Sequence, residues 1–406
     1  MIELHSSPKV YSGWTERAST LEDTLARIES AVPTAGITRV ADITDLDRIG
    51  IPVYSCIRPT AADGAISVYN GKGGTELEAK VAGIMEGIER YSAEAVPRDP
   101  EGFMYSALLR DGKTALDPRL LIIPKEDEFD KNMPWMEGFD IANNESIFVP
   151  LCAVIHPNPY YFPSVFRSSS NGVASGNTLE EAIFYALTEV IERDSWSLVE
   201  ATRNTGAKIK DFPPRVAEMV EKFTKAGVEV ILRDITSDLG IPTIAAVSDD
   251  VERKDPRLLT IGMGTHTNPE IAMIRALTEV AQSRATQIHG AREDATIAQF
   301  REVMGYDRVK RMNAYWFRGE EYKSASEIKS CATPDFKTDI EEIIRRIRGS
   351  GLDRVIVFDL TDPEIKIPVV RVVVPGLECF TIDNERKGDR CRAAERANLR
   401  RTKHNA

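Results

Sequence analysis

The sequence has few of the features of a secreted, membrane-bound or nucleic-acid-binding protein. It has only five cysteines in 406 residues, none in a C-x-x-C pair, which favours reduced thiols in a cytoplasmic protein. No apolar run approaches the roughly 20 residues that a membrane span needs, and the first residues lack the basic and apolar segments of a signal peptide. The net charge of −11 argues against a broad nucleic-acid surface. We therefore expect a cytoplasmic protein with neither membrane nor nucleic-acid partners.

The common signatures of nucleotide and metal sites are also missing. Neither Gly71-Lys72-Gly73 nor Gly262-Met263-Gly264 completes a P-loop or a dinucleotide fingerprint. The five histidines show no metal-ligand spacing. An ordinary nucleotide-binding fold is therefore not indicated.

Apolar segments predict strands that alternate with helices. An amphipathic helix is expected over residues 20–30, with Thr20 as its cap. Strands are expected at 49–57, 146–154, 229–233, 243–247, 354–358 and 369–374. This alternation predicts an α/β class, in the mixed α+β form. The residues from 384 to 406 are rich in lysine and arginine and predict a polar basic tail.

An internal repeat is the most informative feature of the sequence. Three segments each read as a Gly-rich loop, a helix start and a helix of about four turns. Residues 186–190 and 276–280 are both Ala-Leu-Thr-Glu-Val. At matching places the three copies carry Glu86, Glu89 and Arg90; Glu189, Glu192 and Arg193; and Glu279, Gln282 and Arg284.

The helix starts support this plan. Thr75-x-x-Glu78 and Thr178-x-x-Glu181 have the pattern of capping boxes, and Asn268-Pro269 that of a cap followed by a first-turn proline. Each loop therefore brings free N–H groups to a helix N-terminus, a place that suits an anion.

The repeated glutamates suggest a metal site. Two glutamates three residues apart repel each other on one helical face, and having them twice at corresponding places suggests an external cation. Mg²⁺ prefers oxygen ligands and commonly joins carboxylates to phosphate oxygens, while arginine suits phosphate. The alternative, surface ion pairs such as Glu86–Arg90 and Glu189–Arg193, stays open at this point.

Taken together, these segments resemble the YcaO family over roughly residues 17–380. The resemblance is carried by Asn70–Thr75 with Glu86-x-x-Glu89-Arg90, by Ser170–Thr178 with Glu189-x-x-Glu192-Arg193, by Ala281-Gln282-Ser283-Arg284, by Pro368–Glu378 and by Arg17–Thr24. It implies one YcaO-type catalytic domain over residues 1–383. The ATP site would be built from segments near 17–24, 70–90, 170–193 and 262–284.

The resemblance also implies ATP and Mg²⁺ as cofactors and assigns roles to individual residues. The metal ligands it implies are Glu86, Glu89, Glu189 and Glu192. The nucleotide contacts it implies are Arg17, Thr24, Lys72, Arg90, Asn171, Ser175, Asn177, Arg193 and Arg284, with Glu192, Arg193 and Arg284 as catalytic residues. Because the third copy has lost one carboxylate, we expect it to contribute mainly to phosphate binding or to structure.

In this family a peptide backbone amide is activated by phosphorylation and then attacked by a nucleophile. Azoline-forming members often end in a proline-rich segment, whereas no proline follows Pro375 here, and no fused leader-binding domain is evident. The chain is similar to standalone methanogen members that make a thioamide. This implies the thioglycine of the methyl-coenzyme M reductase alpha subunit as product, a TfuA-type sulfur-delivery partner and a homodimer. The alternatives are azoline or macroamidine formation, a non-catalytic ATP-binding accessory protein, and an ordinary phosphotransferase.

Overall fold

The computed structural model describes residues 2–94, 101–292 and 296–404 of the chain. Helices and strands alternate along it, which confirms the predicted mixed α/β class. None of the described helices is long and apolar enough to cross a bilayer. In chain order the helices are α1 (Leu21–Glu29), α2 (Glu76–Ala93), α3 (Tyr105–Arg110), α4 (Leu179–Thr202), α5 (Pro214–Lys225), α6 (Pro269–His289), α7 (Thr296–Met304), α8 (Tyr306–Met312), α9 (Ala314–Phe317), α10 (Phe336–Gly349) and α11 (Asp389–His404).

The strands in the described part of the chain form four sheets, antiparallel except for one parallel pair, β10 with β14. A small hairpin pairs β1 (Tyr11–Ser12) with β2 (Glu16–Arg17). A second sheet has the order β3 (Arg39–Asp42), β4 (Val53–Ile57), β5 (Val68–Lys72). A third has the order β6 (Gly102–Phe103), β7 (Met133–Asp140), β15 (Ile356–Asp359), β16 (Val369–Val373), β9 (Val173–Ser175), with β8 (Glu145–Pro150) also paired to β7. The fourth has the order β13 (Ile261–Thr265), β12 (Thr243–Asp249), β11 (Glu229–Asp234), β10 (Lys208–Lys210), β14 (Tyr322–Ser324).

The three copies of the repeat are three strand–helix units. In each, a strand leads through a short loop into a long helix: β5 into α2, β9 into α4, and β13 into α6. Each helix packs on its own strand and also on the strand of another copy, α2 on β9, α4 on β13, and α6 on β5. The three units thus form a closed ring.

Two glycines let strands of this ring press directly against the helices that follow them. A Cβ on Gly71 would lie 2.0 Å from the backbone nitrogen of Gly83 and 2.1 Å from the carbonyl oxygen of Ala79. A Cβ on Gly264 would lie 2.1 Å from the carbonyl oxygen of Ala272. No side chain tolerates such distances, so packing requires glycine at both positions. The Gly-rich loops therefore serve strand–helix contact as well as helix capping.

The helix starts confirm the predicted caps. In each predicted capping box, however, only one of the two hydrogen bonds is the expected one. Thr75 Oγ1 accepts a hydrogen bond from the backbone nitrogen of Glu78 at 3.2 Å, as expected. The Glu78 carboxylate, however, accepts from the backbone nitrogen of Gly74, one residue before the cap, at 2.7 Å. Thr178 and Glu181 repeat this arrangement in the second copy. The glutamates therefore hold the Gly-rich loops against the helices.

The segment 384–406, predicted as a polar basic tail, packs against the folded body at its start. Helix α11 lies along α4. Arg390 donates from Nε and Nη2 to the two carboxylate oxygens of Asp194 at 2.9 and 2.8 Å, and Cys391 is fully buried. The prediction of a tail was therefore wrong for the beginning of α11, and residues 405–406 lie outside the described residues.

Candidate functional site

A cavity of about 340 Å³ lies between the three strand–helix units and the N-terminal segment. It is referred to below as the main cavity. Most of the side chains predicted from sequence lie on its wall. These are Arg17, Thr24, Lys72, Glu86, Glu89, Arg90, Ser175, Asn177, Glu189, Glu192 and Arg193. Segments that are far apart in the chain thus meet at one place, as a bound ligand would require.

Arg284 does not reach the main cavity, which corrects its assignment as a phosphate contact and catalytic residue. Its side chain is fully buried and donates to Asp47 at 2.7 and 3.0 Å and to Asp250 at 3.1 Å. Successive helical residues are about 100° apart, so a residue two positions after Gln282 faces almost the opposite way. The arginines of the first two copies follow their glutamate by only one position. Arg275, which lies on a different face of the same helix, lines the cavity instead.

Asn171 also lies away from the main cavity, which corrects its assignment as a nucleotide contact. It lines a smaller pocket on the far side of the same loop. The loop does serve the main cavity through its backbone, because the backbone nitrogen of Gly172 donates to Oε1 of Glu189 at 3.4 Å. The predicted loop is therefore close to the site, but its asparagine side chain is not.

Helix α2 presents an arginine and two glutamates to the cavity. Arg90 Nη2 lies 3.5 Å from Glu86 Oε1 and 3.6 Å from Glu89 Oε1. Glu89 Oε2 accepts hydrogen bonds from Ser175, through its backbone nitrogen at 3.0 Å and its hydroxyl at 3.2 Å. Because Ser175 belongs to the second copy, these bonds join the first two units directly.

The cavity carboxyls are held in surroundings that disfavour their charge. Burial raises the pKa of Glu89 to about 8, against the opposing effect of Arg90 and with a further rise from Glu189. Burial likewise raises the pKa of Glu192 to about 7, and nearby Glu279 adds to this rise. The pKa of Glu189 is raised as well, again chiefly by burial. Carboxyls in such a position favour either a proton or a cation that takes its place.

The third copy supplies a different set of groups. Lys72, from the first copy, donates from Nζ to Glu279 Oε2 at 2.8 Å and to Gln282 Oε1 at 3.1 Å. Burial opposes ionisation of Glu279, but the positive charge of Lys72 brings the net pKa of this carboxyl below its ordinary value. The Arg275 guanidinium lies 5.3 Å from the centre of the Tyr185 ring. The third helix thus holds a lysine and an arginine at the cavity wall.

The N-terminal segment is fastened over the cavity by a buried ion triplet. Lys9 Nζ lies 2.6 Å from Glu16 Oε2 and 2.7 Å from Asp339 Oδ2, and its side chain is almost wholly buried. These bonds fix the hairpin of β1 and β2, whose last residue is Arg17. The guanidinium of Arg17 lies 4.3 Å from the centre of the Tyr185 ring, so the hairpin delivers a cation to the cavity.

Two further predicted residues, Thr24 and Asn177, contact each other. Thr24 Oγ1 donates to Asn177 Oδ1 at 2.9 Å, and Asn177 Nδ2 donates to Glu181 Oε2 at 3.1 Å. The same carboxylate oxygen accepts from the backbone nitrogen of Ala18 at 3.0 Å. Glu181 therefore connects the N-terminal segment to the loop before α4.

Several residues of the cavity wall escaped the sequence analysis as functional candidates. The sequence patterns indicate Glu78 and Glu181 only as capping residues, and they indicate no role for Tyr185 or Arg275. The available signal was helical spacing: Tyr185 lies four positions before Glu189, and Arg275 lies four positions before the glutamate of the third copy. Residues four apart share a helical face, so both could have been found.

The main cavity suits an anionic ligand that arrives with a divalent cation. Seven glutamates and five basic side chains line it. The basic side chains attract phosphate, and a divalent cation would stabilise the ionised form of buried carboxyls such as Glu89. Glu192 Oε2, Arg90 Nη1, Arg193 Nε and Arg275 Nε are buried and find no hydrogen-bond partner in the described part of the chain. Buried polar atoms normally have hydrogen-bond partners. A metal–phosphate ligand would supply partners to the carboxylate oxygen, through the metal, and to the arginine nitrogens, through the phosphate.

The carboxylates do not form a complete metal cage by themselves. Within residues 2–94, 101–292 and 296–404, no group of three or more His, Cys, Asp or Glu side chains is placed to hold a metal ion. This agrees with the behaviour of Mg²⁺, which usually takes one or two carboxylates and completes its octahedron with waters and substrate phosphates. The donor set therefore fits a metal that binds together with a nucleotide.

A family model described as "YcaO cyclodehydratase, ATP-ad Mg2+-binding" matches residues 70–378. The chain belongs to the YcaO family. The YcaO protein of Methanopyrus kandleri, solved with AMPPCP and Mg²⁺, is 28% identical, superposes with a TM-score of 0.80, and is matched over 94% of this chain and 98% of its own. The predicted YcaO membership and the prediction of ATP and Mg²⁺ as cofactors are confirmed.

Two relatives known from their sequences extend the match over almost the whole chain. An uncharacterized protein of Methanothermobacter thermautotrophicus is 48% identical over 381 residues, covering 92% of this chain and 97% of its own. An "uncharacterized protein in tfuA 3'region" of Rhizobium leguminosarum bv. trifolii is 31% identical over 390 residues, covering 93% and 92%. The YcaO chain therefore has relatives of similar length in archaea and in bacteria.

Proposed function

We propose that this YcaO protein uses ATP and Mg²⁺ to activate a backbone amide of a peptide and then exchanges the amide oxygen for sulfur. The observation that carries the proposal is the main cavity, where glutamates and arginines of two helices line one volume together with a lysine. Such a wall can neutralise phosphate charge and hold reacting groups in line, which is most of what phosphoryl transfer needs.

The residues divide into two groups. The carboxylates of Glu86, Glu89, Glu189 and Glu192 would hold Mg²⁺. Burial already disfavours the free charge of the last three. Basic groups from all three copies would contact phosphate oxygens, namely Arg90, Arg193, Lys72 and Arg275. Arg275 replaces Arg284 in this set because it lines the cavity.

A second set of side chains would hold the rest of the nucleotide. Arg17, Thr24, Ser175 and Asn177 remain candidates for these contacts, since all four lie on the cavity wall. Glu192 and Arg193 remain the candidates for direct contact with the reacting phosphoryl group. Both carry a buried polar atom without a hydrogen-bond partner in the described part of the chain.

The chemistry has two stages. The amide oxygen attacks the γ-phosphorus of ATP, and ADP leaves. Phosphorylation thereby turns the amide oxygen, a poor leaving group, into a good one. A hydrosulfide anion then adds to the amide carbon, the C–O bond breaks, and inorganic phosphate departs with the original oxygen. No electrons are exchanged. The guanidiniums at the cavity wall stabilise the negative charge that moves between the phosphate and the departing oxygen.

Sulfur is favoured as the nucleophile by the Rhizobium relative, whose name places it next to tfuA. We therefore propose a TfuA-type protein as sulfur-delivery partner, the methyl-coenzyme M reductase alpha subunit as the substrate, and a homodimer as the working form. Ring formation on a cysteine, serine or threonine of the substrate is the second candidate, since the family description names a cyclodehydratase.

The test is mass spectrometry of a glycine-containing target peptide after incubation with the protein, ATP, Mg²⁺ and sulfide. Thioamide formation adds the mass difference between sulfur and oxygen, whereas ring formation removes one water. A heavy-oxygen label in the target amide should appear in the released phosphate. Label retained in the peptide together with a phosphopeptide would indicate an ordinary phosphotransferase, and no change under any condition would indicate a non-catalytic accessory protein.

A further inference from the structure

A second pocket lies behind the strand pair that borders the main cavity. It has a volume of about 50 Å³ and lies among β16, the turn that follows this strand, and the loop before β9. Apolar side chains form much of its wall, and its polar lining residues are Ser169, Asn171, Arg371, Glu378, Cys379 and Arg386. This volume is much smaller than that of the main cavity.

Arg371 is the cation of this pocket with unused hydrogen-bonding capacity. Its side chain is more than nine-tenths buried. Nη1 donates to the carbonyl oxygen of Ser169 at 2.7 Å, whereas Nε is buried and finds no partner among the described residues. A buried guanidinium with an unmet donor is costly unless something accepts from it.

The other charged groups of the pocket are already engaged. Arg386 donates to the carbonyl oxygens of Ile122 and Leu121 at 3.0 and 2.6 Å. The Glu378 carboxylate accepts from the backbone nitrogens of Gly388 and Cys391, both at 2.8 Å. Among the residues that line the pocket, two arginines therefore accompany one carboxylate whose oxygens are occupied. The charge of Glu189, which lines the main cavity, also acts on Arg371.

The pocket and the main cavity are neighbours across a single layer of backbone. In the register of β16 and β9, Arg371 pairs with Val173, and Val173 lines the main cavity. Paired strands lie about 4.8 Å apart. On α4, Glu189 faces the main cavity while the next residue, Val190, faces the pocket. The pocket therefore lies directly behind the part of the main-cavity wall that carries Val173 and Glu189.

We propose that this pocket holds the sulfur nucleophile, a hydrosulfide anion, on the Nε donor of Arg371. The inference rests on the proposed function, because it is the amide-to-thioamide exchange that calls for such an anion. The apolar wall suits a large, weakly hydrated anion. The anion is bound without a covalent bond, so Cys379, which also lines the pocket, takes no part in sulfur transfer.

The kinetic test compares two arginine variants with sulfide as the sulfur source. Arg371→Met should raise the KM for sulfide about ten-fold or more, since a charge-assisted hydrogen bond is lost, and leave the KM for ATP within about two-fold. Arg167→Met is the matched control, because it removes an exposed guanidinium near the same loop without touching the pocket. Arg371→Lys, which keeps the charge, should show an intermediate KM for sulfide.

An unchanged KM for sulfide in a folded Arg371→Met protein would overturn the inference. So would a complete loss of product in Cys379→Ser, because sulfur would then pass through a covalent thiol adduct. Folding of each variant is checked independently by its affinity for AMPPCP with Mg²⁺.

A direct binding test separates this inference from the proposed function. Crystals of the wild-type protein soaked in bromide, an anion of similar size and hydration, should show an anomalous peak beside Arg371, and crystals of Arg371→Met should not. Absence of the peak refutes the anion pocket even if thioamides form. A bromide peak in a protein that forms rings would leave an anion pocket but refute sulfide as its ligand.

Discussion

The ammonium group of Lys72 lies 2.8 Å from the carboxylate of Glu279, so that the first Gly-rich loop is bonded to the third helix. Both residues line the main cavity, so this bond holds the lysine at the proposed phosphate site. In the nucleotide complex Lys72 can exchange its carboxylate partner for a phosphate oxygen, as point-charge lysines do at other phosphate sites.

Replacing Lys72 by methionine should therefore weaken the binding of AMPPCP with Mg²⁺ by about ten-fold or more. Isothermal titration gives the dissociation constant. Lys80→Met is the control, since Lys80 lies on α2, the helix that follows Lys72, but outside the cavity. Equal affinities for the two variants would remove Lys72 from the phosphate site.

Replacing Glu89 and Glu192 together by glutamine should weaken nucleotide binding in the presence of Mg²⁺ by at least ten-fold, because the carboxylate ligands would be lost. Binding measured without the metal should change much less. Glu76→Gln, at the exposed start of α2, serves as the control. Intact affinity in the double variant would refute the metal site.

The buried Glu89 should make the ligand-free protein less stable as the pH rises. Its folded pKa of about 8 lies above its ordinary value of 4.5, so the folded state holds the proton more tightly than the unfolded state. This stabilisation is fully present below about pH 4.5 and is lost as the pH rises toward 8. One such group contributes a slope of at most about 1.4 kcal/mol per pH unit.

The measurement is urea unfolding between pH 6.5 and 8.5 without nucleotide or metal. The free energy of unfolding should fall with pH in the wild type, and Glu89→Gln should flatten this dependence. A glutamine variant with the same slope as the wild type would show that Glu89 is ionised throughout this range in the folded protein.

Arg284 and Arg275 should respond in opposite ways to the same substitution. Arg284→Met leaves the buried carboxylate of Asp47 without its guanidinium partner, whereas Asp250 keeps Arg48. It should therefore lower the free energy of unfolding by about 3 to 5 kcal/mol. The affinity of the remaining folded protein for AMPPCP with Mg²⁺ should be unchanged. Urea unfolding and titration measure the two quantities.

Arg275→Met should instead weaken nucleotide binding by about ten-fold, with a much smaller effect on stability. This contrast tests the reassignment of the third arginine. A binding defect in Arg284→Met rather than in Arg275→Met would restore the assignment made from sequence.

The sequence predicted the strand–helix units well because each one carries local signals. Capping threonines, a cap followed by proline, and the repeated Ala-Leu-Thr-Glu-Val segment all lie within a few turns of helix. The helix predicted over 20–30 occurs as Leu21–Glu29 with Thr20 as its cap. The strand predicted over 146–154 ends early at Pro150, where the chain enters a 3₁₀ turn.

Relations between distant segments could not be predicted in the same way. The partner of Arg284 is Asp47, 237 positions away, and no local sequence pattern indicates this pairing. The error at Arg284 followed from treating the third copy as equivalent to the others, although a shift of one position turns a helical side chain by about 100°. Cys391 is buried for the same kind of reason, since its environment is set by α4 rather than by its own polar neighbours.

The ion triplet of Lys9 has a consequence for how the protein is made. Asp339, the partner of Lys9 at 2.7 Å, is synthesised 330 residues after it. The hairpin that carries Arg17 can therefore be locked in place only when most of the chain has been translated. A chain arrested before α10 would hold both glutamate-bearing helices of the ring but lack the anchor of its N-terminal segment. ATP binding by this protein should consequently appear late in its synthesis, well after the first helices have formed.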